Sequence, residues 1–416
     1  MNNKNEEYSL IITETIRELD NIMSTTPAQI VKNMIKKAMG RSVMEKDPFF
    51  WPTGMLMLGL VETYENSEDA GQKERILVAI DSHIKRWRTE YGGEIGFVDD
   101  ALTGYCMVKL YDLTGKADYL KIADTINTFI LEAPTDFTGS ILYNPGKNSR
   151  NIFSDGIGQT TMFMAAYLRM KLQHENELLT ENMDSNTHYY NGSNVMSGIS
   201  KLYRQFINYN YFCLDNKSFL LYHGYSLDMS DKLKKNFQNG KLIKPEECLS
   251  EIVCERKGIL GWGRAFGWMM LGLSESALLE EYLKSKTGNV RKWSKYDIIP
   301  CYKEMCKIAL GYQREDGGFS WQMQAVEGHI DMSATGMIAY SIEKGYKAGV
   351  FGDDPEFENL VRTCLHKVKD CIYAHTENGI VGDALSSCDD FAVHYQTYGN
   401  YPWGQGACLA ALSIGN

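Results

Sequence analysis

The segment from Phe153 to Leu172, FSDGIGQTTMFMAAYLRMKL, constrains the fold more than any other part of the chain. Its residues are apolar on nearly every side of a helix, which is typical of a helix enclosed within a large fold. The segment nevertheless opens with an acid, Asp155. An aspartate at that position either caps the helix by accepting from its free backbone N–H groups or takes part in chemistry beyond the helix end.

Helices of two kinds alternate along the sequence. One kind carries a single apolar stripe, as in Lys73 to Arg88, which indicates a surface helix. The sequence predicts six such segments: Pro27 to Met39, Lys73 to Arg88, Ala117 to Glu132, Gly198 to Leu214, Tyr296 to Gln313 and Phe357 to His375. The other kind is apolar on most sides, and the sequence predicts six of these: Trp51 to Glu65, Asp99 to Leu113, Asp155 to Leu172, Arg264 to Tyr282, Asp331 to Lys344 and Trp403 to Ile414.

This alternation predicts an all-α fold of two concentric layers, an (α/α)6 toroid with six inner and six outer helices. We expect residues 27–416 to form one domain, preceded by a polar helical extension in residues 1–26. The same repeats are compatible with an open solenoid. Two long connections, Gln173 to Gly192 and an irregular stretch from Asp215 to Gly261, favour the closed ring, because a solenoid repeats its unit length more faithfully.

Composition limits the partners. A formal net charge of -10 argues against nucleic acid or an anionic membrane surface, since both require a broad basic face. No stretch has the roughly 18 to 20 apolar residues of a membrane span, and the N-terminal residues lack a secretory pattern, so we expect a cytoplasmic protein. The ten cysteines and eight histidines are dispersed without CxxC or HExxH spacing, which predicts free thiols and no metal site.

The starts of the inner helices should meet at one rim, because alternating helices of a toroid all run the same way within a layer. This rim would carry several unusual residues: Trp51, Asp99, Asp100, Asp155, Trp262, Arg264, Trp268, Asp331 and Trp403. Tryptophans around acids suit a sugar, whose apolar face stacks on indole while carboxylates and arginine bind hydroxyls or a carboxylate. The alternative is that the tryptophans are core. Repeated glycines near these starts suggest either close helix packing or room for a ligand.

Paired carboxylates are the usual equipment for glycosidic chemistry. Asp155 has the best setting for donating a proton, although the helix N-terminus lowers the pKa of an acid while burial raises it. Asp99 and Asp100 are adjacent, so we expect only one of them to face the pocket while the other caps its helix.

Several motifs resemble family 105 of the glycoside hydrolases, the unsaturated rhamnogalacturonyl hydrolases, and more distantly family 88, the unsaturated glucuronyl hydrolases. FVDDALTGYCMVKLYDL is similar to the segment with the family's first aspartate, which matches Asp99, and FSDGIGQTTMFMAAYLR to the second, which matches Asp155. LLYHGYSLD matches the histidine segment at His223, and GWGRAFGWMMLGLSE places Arg264 and Trp268. The chain departs from the family after Asp155, where Ile157, Gly158 and Gln159 replace a bulkier run, and before the last helix, where it has NYPWGQG.

The resemblance implies hydration of the C4=C5 double bond in a terminal unsaturated uronic acid, left on an oligosaccharide by a polysaccharide lyase. It makes Asp155 the general acid and base and Asp99 its partner, and it implies no metal or organic cofactor. Asp100, His223, Arg264 and the tryptophans Trp51, Trp268 and Trp403 would bind the substrate. Two alternatives stay open: an inverting glycosidase or epimerase acting on saturated sugars, and a glycan-binding relative without activity. The linked sugar and the oligomeric state are not predicted.

Overall fold

The computed structural model describes residues 2–24, 34, 48–143, 150–174, 194–237, 241–287, 297–387 and 396–415. Within these residues, twelve long helices alternate between an outer layer with odd numbers and an inner layer with even numbers. The outer helices are α1 (Asn2–Ile22), α3 (Ala70–Glu90), α5 (Ala117–Glu132), α7 (Asn194–Phe212), α9 (Ile298–Gly311) and α11 (Pro355–Ala374). The inner helices are α2 (Trp51–Asn66), α4 (Asp100–Thr114), α6 (Ser154–His174), α8 (Gly263–Thr287), α10 (Met332–Lys347) and α12 (Pro402–Ile414).

The inner helices close into a ring. Each one packs against the next in the order α2, α4, α6, α8, α10 and α12, and α12 returns to α2. This closure confirms the predicted (α/α)6 toroid over the open solenoid. It also explains the apolar composition of the inner helices: α2 buries every residue from Pro52 to Thr63, whereas α3 buries only one stripe that includes Ile76, Ile80 and Trp87.

Helix α1 completes the outer layer in the described part of the chain. It packs against α2, α3 and α12, with Ile11, Ile12 and Leu19 fully or almost fully buried. The Tyr8 hydroxyl lies 2.9 Å from the Ser413 hydroxyl at the end of α12. The predicted outer helix from Pro27 to Met39 lies outside the described residues, apart from position 34. The predicted division into an extension of residues 1–26 and a domain of residues 27–416 stays a prediction.

The glycines of the inner helices serve close packing. A Cβ atom added at Gly158 of α6 would lie 2.2 Å from the Trp268 carbonyl oxygen of α8, and one at Gly406 of α12 would lie 2.1 Å from the Met55 carbonyl oxygen of α2. Real side chains do not occupy such spaces, so these two crossings require glycine. Of the two explanations that the sequence left open, close helix packing applies at these positions.

The sequence predicted an irregular stretch from Asp215 to Gly261, but the structure shows that part of it forms a sheet. The stretch contains β2 (Gly224–Met229) and β3 (Ile252–Lys257), which join β1 (Asn151–Phe153) in a three-stranded antiparallel sheet of order β1-β2-β3. The expectation failed because β3 exposes most of its side chains and lacks the alternation that identifies a strand. Four two-residue strands form two further pairs: β4 (Thr376–Glu377) with β5 (Ile380–Val381), and β6 (Ala384–Leu385) with β7 (Tyr398–Gly399).

Buried and partly buried ionic side chains, together with two tyrosines, lie between the inner helices in the half of the barrel toward their C-terminal ends. We call this group the basal ion cluster; it comprises Glu62, Tyr105, Lys109, Arg169, Glu275, Tyr340 and Lys344. Lys109 Nζ lies 2.6 Å from Glu62 Oε1, and the Tyr340 hydroxyl donates to the same oxygen at 2.7 Å. Arg169 and Lys344 both pair with Glu275. The cluster joins α2, α4, α6, α8 and α10 by opposite charges.

Candidate active site

The starts of the inner helices meet, as predicted, at the end of the barrel opposite the basal ion cluster. Trp51 of α2 lies edge-on to Trp268 of α8 with ring centroids 5.9 Å apart, and it tilts against Trp403 of α12 at 4.7 Å. Tyr401 stacks on Trp403, also with ring centroids 4.7 Å apart. Trp268 and Trp403 are buried and Trp51 is partly exposed. Trp51 is therefore the member of this trio with accessible ring surface.

Asp99 directly precedes α4, yet its side chain does not cap that helix. Its Oδ2 atom accepts from the Tyr143 hydroxyl at 2.6 Å, and its Oδ1 atom accepts from Gln159 Nε2 of α6 at 2.8 Å. Hydrogen bonds to both oxygens stabilise the ionised carboxylate. The sequence predicted Asp99 at the rim but gave no sign of its two donors, because Tyr143 lies in a loop and Gln159 was noticed only as a departure from the family pattern.

Asp100 is oriented differently from its neighbour. It is fully buried, and its Oδ2 atom accepts from the backbone N–H groups of Gly96 at 3.0 Å and Phe97 at 3.1 Å. These contacts organise the loop that leads into α4. The expected substrate-binding role of Asp100 stays a prediction, and the geometry favours a structural one.

Asp155 is the second residue of α6 and faces a histidine. Its Oδ2 atom lies 2.7 Å from Nε2 of His223, which is buried, and accepts from the Ser154 hydroxyl at 3.2 Å. Burial acts to raise the pKa of Asp155, but the charge and hydrogen bond of His223, together with the charge of Arg264, outweigh it and lower the pKa below the ordinary value. In the free protein Asp155 is thus tuned toward ionisation by two neighbouring cationic groups.

Strand pairing brings Asp155 and His223 together. β1 ends at Phe153 and β2 begins at Gly224, and these two residues are paired in the sheet. The backbone N–H of Ser154 then donates to the His223 carbonyl at 2.9 Å. A Cβ atom on Gly224 would lie 2.3 Å from the Ile152 carbonyl oxygen, so glycine is needed for the strands to approach this closely.

Arg264 lies close to the start of α8, where its guanidinium is held by neutral groups. It donates to the carbonyl oxygens of Leu385 at 2.8 Å and Ser386 at 2.9 Å. Its guanidinium carbon lies 4.7 Å from the centroid of the Trp262 ring and 5.7 Å from that of Trp403. None of these partners neutralises the positive charge, which therefore acts on Asp155.

Trp262 connects the two cationic residues; the sequence placed it at the rim beside Arg264 but assigned it no role. Its ring lies edge-on to His223 with centroids 4.4 Å apart, while Arg264 lies over its face. His223 also contacts Phe153 at 4.9 Å, and Phe153 contacts Tyr143 at 5.3 Å. The structure therefore links Asp99, Asp155, His223, Arg264 and the tryptophans through direct contacts around one mouth. The motif GWGRAFGW contains Trp262 and offered a signal for it.

Comparison with known proteins identifies the family. The sequence model of glycosyl hydrolase family 88 matches residues 25–413, which is nearly the whole chain. The chain belongs to glycosyl hydrolase family 88. No curated protein sequence gives a significant match.

Several solved structures share this fold. A glycoside hydrolase of family 105 from C. acetobutylicum is 18% identical with a TM-score of 0.61, covering 92% of this chain and 98% of its own. An unsaturated glucuronyl hydrolase from Bacillus sp. GL1, described as responsible for glycosaminoglycan degradation, is 15% identical with a TM-score of 0.64, covering 98% and 96%. A possible family 105 member from Salmonella enterica is 15% identical with a TM-score of 0.67, covering 99% and 93%.

Membership of family 88 makes the chain a glycoside hydrolase and confirms the resemblance to families 88 and 105 that the motifs indicated. At these identities the solved structures bear on the fold. Among the helices that the structure describes, none is long and apolar enough to cross a membrane. In the same residues, no three His, Cys, Asp or Glu side chains come together as a possible metal site.

Proposed function

We propose that this family 88 chain removes the terminal 4,5-unsaturated uronic acid from oligosaccharides made by polysaccharide lyases. The observation that carries the proposal is the division between two acids at one mouth. Asp155 is paired with the imidazole of His223, whereas Asp99 is held by two neutral donors. A proton donor and a fixed carboxylate are the two groups that this chemistry requires.

The reaction begins with transfer of the Asp155 proton to C4 of the enol ether, which leaves positive charge shared between C5 and the ring oxygen. The Asp155 carboxylate then takes a proton from a water molecule while the water oxygen bonds to C5. The resulting hemiketal opens by breaking the bond between C5 and the ring oxygen. A ketone forms at C5, and the hemiacetal at C1 releases the linked sugar. One water is consumed and Asp155 regains its proton.

The lowered pKa of Asp155 in the free protein must be reconciled with its role as a proton donor. His223 and Arg264 lower that pKa through their positive charge. A substrate with a uronate carboxylate brings a negative charge into the same mouth, which opposes their effect and favours the protonated acid. The proton donor is therefore formed as the anionic substrate binds, and a neutral sugar would not produce the same change.

The remaining residues bind the sugar in this proposal. Asp99 accepts hydrogen bonds from hydroxyl groups, Arg264 attracts the carboxylate, and Trp51 offers its partly exposed ring to the apolar sugar face. Trp268 and Trp403 are buried and support Trp51 from behind. No residue in the scheme needs a cofactor.

The test uses unsaturated disaccharides produced by lyases from pectic and glycosaminoglycan polymers. The C=C bond conjugated to the carboxylate absorbs in the ultraviolet, so hydration appears as a loss of absorbance, and NMR should show a keto acid. If the whole panel stays unchanged, the proposal is contradicted. Turnover of saturated uronides to a reducing uronate would instead support an ordinary glycosidase. If calorimetry shows that the sugar binds but is not turned over, the result would support a non-catalytic relative.

A further inference from the structure

Gln159 lies one turn into α6 from Asp155 and is completely buried. Its Nε2 atom donates to Asp99 Oδ1 at 2.8 Å, while its Oε1 atom is also buried and has no hydrogen-bond partner. Leaving a buried amide oxygen unsatisfied is unfavourable. The hydrogen bond from Gln159 Nε2 to Asp99 must therefore compensate for the unsatisfied Oε1 atom.

The orientation of the amide depends on the charge of Asp99. An ionised carboxylate only accepts hydrogen bonds, so it requires the NH2 group of Gln159 to face it. Turning the amide would place Oε1 against Oδ1, and the two acceptors would repel each other unless a proton lay between them. The Tyr143 hydroxyl supplies the second donor, at 2.6 Å from Oδ2.

Tyr143 is suited to remain a donor. Burial raises the pKa of its hydroxyl well above the ordinary value, and the charges of Asp99 and Asp155 raise it further. The hydroxyl therefore keeps its proton over the whole working range of pH. Its ring is fixed by contact with Phe153 and by its approach to Gly156 at the start of α6.

We propose that Gln159 is a positioning residue, which together with Tyr143 holds Asp99 as an ionised carboxylate in one orientation. The catalytic meaning of this inference rests on the function proposed above. In that reaction an ionised Asp99 presents only acceptors to the substrate hydroxyls, whereas a protonated Asp99 would also present a donor. Asp155 is then the only one of the two acids that carries the reacting proton, and Gln159 separates their roles.

The direct test is the titration of Asp99 in the full chain without substrate. Aspartate labelled with 13C at the carboxyl carbon gives one NMR signal per residue, and Asp99→Asn identifies the signal of interest. Gln159→Met removes the donor but keeps the length of the side chain. We expect the Asp99 titration midpoint to rise by about one pH unit, a tenfold change in proton affinity.

Thr160→Val is the matched control. Thr160 is equally buried in the same turn of α6, but its hydroxyl donates to the Gly156 carbonyl at 2.6 Å. This variant disturbs the same helix without removing a donor to Asp99, so the Asp99 midpoint should stay where it is. An unchanged midpoint in folded Gln159→Met, or an equal rise in Thr160→Val, overturns the proposal.

Activity provides a second measurement. With an unsaturated disaccharide that the wild type hydrates, Gln159→Met should increase KM several-fold, most strongly at low pH, with a smaller change in kcat. A loss confined to kcat and independent of pH would contradict the inference. If the wild type hydrates no unsaturated uronide, the proposed function fails, while the Asp99 titration still decides the role of Gln159.

Gln159→Glu covers the case in which the methionine variant does not fold. It has the same shape but replaces the donor by an acid facing Asp99. We expect the two carboxyl groups to share one proton and to titrate as a pair, with one step above the Asp99 midpoint of the wild type. Two independent titrations near ordinary values would show that the side chains do not meet, which overturns the proposal.

Discussion

The two ends of the inner barrel bury their charges in different ways. In the basal ion cluster, Glu62 and Glu275 are paired with Lys109, Arg169 and Lys344, so that opposite charges are satisfied within the protein. At the mouth, Asp155 is paired with His223, but the described hydrogen bonds of Asp99 come from neutral donors and those of Arg264 go to neutral acceptors. The charges of the base are thus paired with one another, whereas Asp99 and Arg264 at the mouth are held by uncharged groups.

The helix dipoles stabilise the charged residues at both ends of the barrel. Lys344 lies in the last turn of α10, where a positive charge is favourable, and Asp155 lies in the first turn of α6, where a negative charge is favourable. The parallel arrangement of the inner helices thus suits acids at one end and cations at the other. The comparison teaches that the base should control stability and the mouth should control activity.

The largest effect is expected for Asp155→Asn at the mouth. Asparagine has the same shape but has no acidic proton to donate, so turnover of an unsaturated disaccharide should fall by about 10³-fold. The ultraviolet assay measures this loss, and circular dichroism should show an unchanged melting transition to within a few degrees. Retained activity would remove Asp155 from its proposed role.

At the base, Glu275→Gln should act on stability instead. It leaves the buried Lys344 and the partly buried Arg169 without their carboxylate, which should reduce the free energy of unfolding by about 3 kcal/mol. Urea denaturation measures the change, and activity at room temperature should persist. Glu65→Gln is the control, because Glu65 contacts Lys109 from a partly exposed position and should contribute less than about 1 kcal/mol.

The stability difference between the wild type and Glu275→Gln should depend on pH. Burial opposes ionisation of Glu275, but Arg169 and Lys344 overcome it and lower its pKa to about 2 from 4.5. The stabilisation is therefore fully present above the unfolded pKa and is lost as pH falls toward 2. Urea curves for both proteins should converge between pH 5 and 2. A constant difference would show that Glu275 does not stabilise the protein through its charge.

His223→Gln should change the pH dependence of the mouth. The substitution removes a positive charge that lowers the pKa of Asp155, so this pKa should rise. The fall in activity at high pH, where Asp155 loses its proton, should then move to higher pH. Profiles of kcat/KM against pH test this shift. If the fall at high pH occurs at the same pH as in the wild type, His223 acts by geometry alone.

The smallest effect is expected for Asp100→Asn. Asparagine keeps one acceptor for the N–H groups of Gly96 and Phe97, so stability should fall by about 1 kcal/mol. KM and kcat should stay close to those of the wild type. This variant is also the matched control for Asp155→Asn, since it makes the same chemical change at the same rim. A large rise in KM would restore the substrate-binding role that the sequence suggested for Asp100.

The sequence predicted the inner and outer helices because complete and striped burial leave different periodic patterns. The predicted and observed bounds agree for Ala117–Glu132 and differ by one residue at the start of Trp403 to Ile414. The packing of α1 against α2, α3 and α12 was not predicted, because an apolar stripe does not reveal which helices it contacts. Contact between distant elements has no local signature.

The same limit applies to the mouth. Residue types and family motifs brought Asp99, Asp155, His223 and Arg264 to one rim, and the structure places them there. The partners that determine their chemistry were not predictable. Arg264 is held by backbone carbonyl oxygens of Leu385 and Ser386, which any residue can provide, so no side-chain pattern records that contact.

The three-stranded sheet has a consequence for how much the chain around it can vary. The acid and the imidazole are aligned where β1 and β2 pair, while the connection from Ser230 to Glu251 leaves from the far end of β2. That connection can therefore lengthen, shorten or change composition without shifting the contact between Asp155 and His223. Loops at the far end of β2 are free to diverge around a constant carboxylate–imidazole pair.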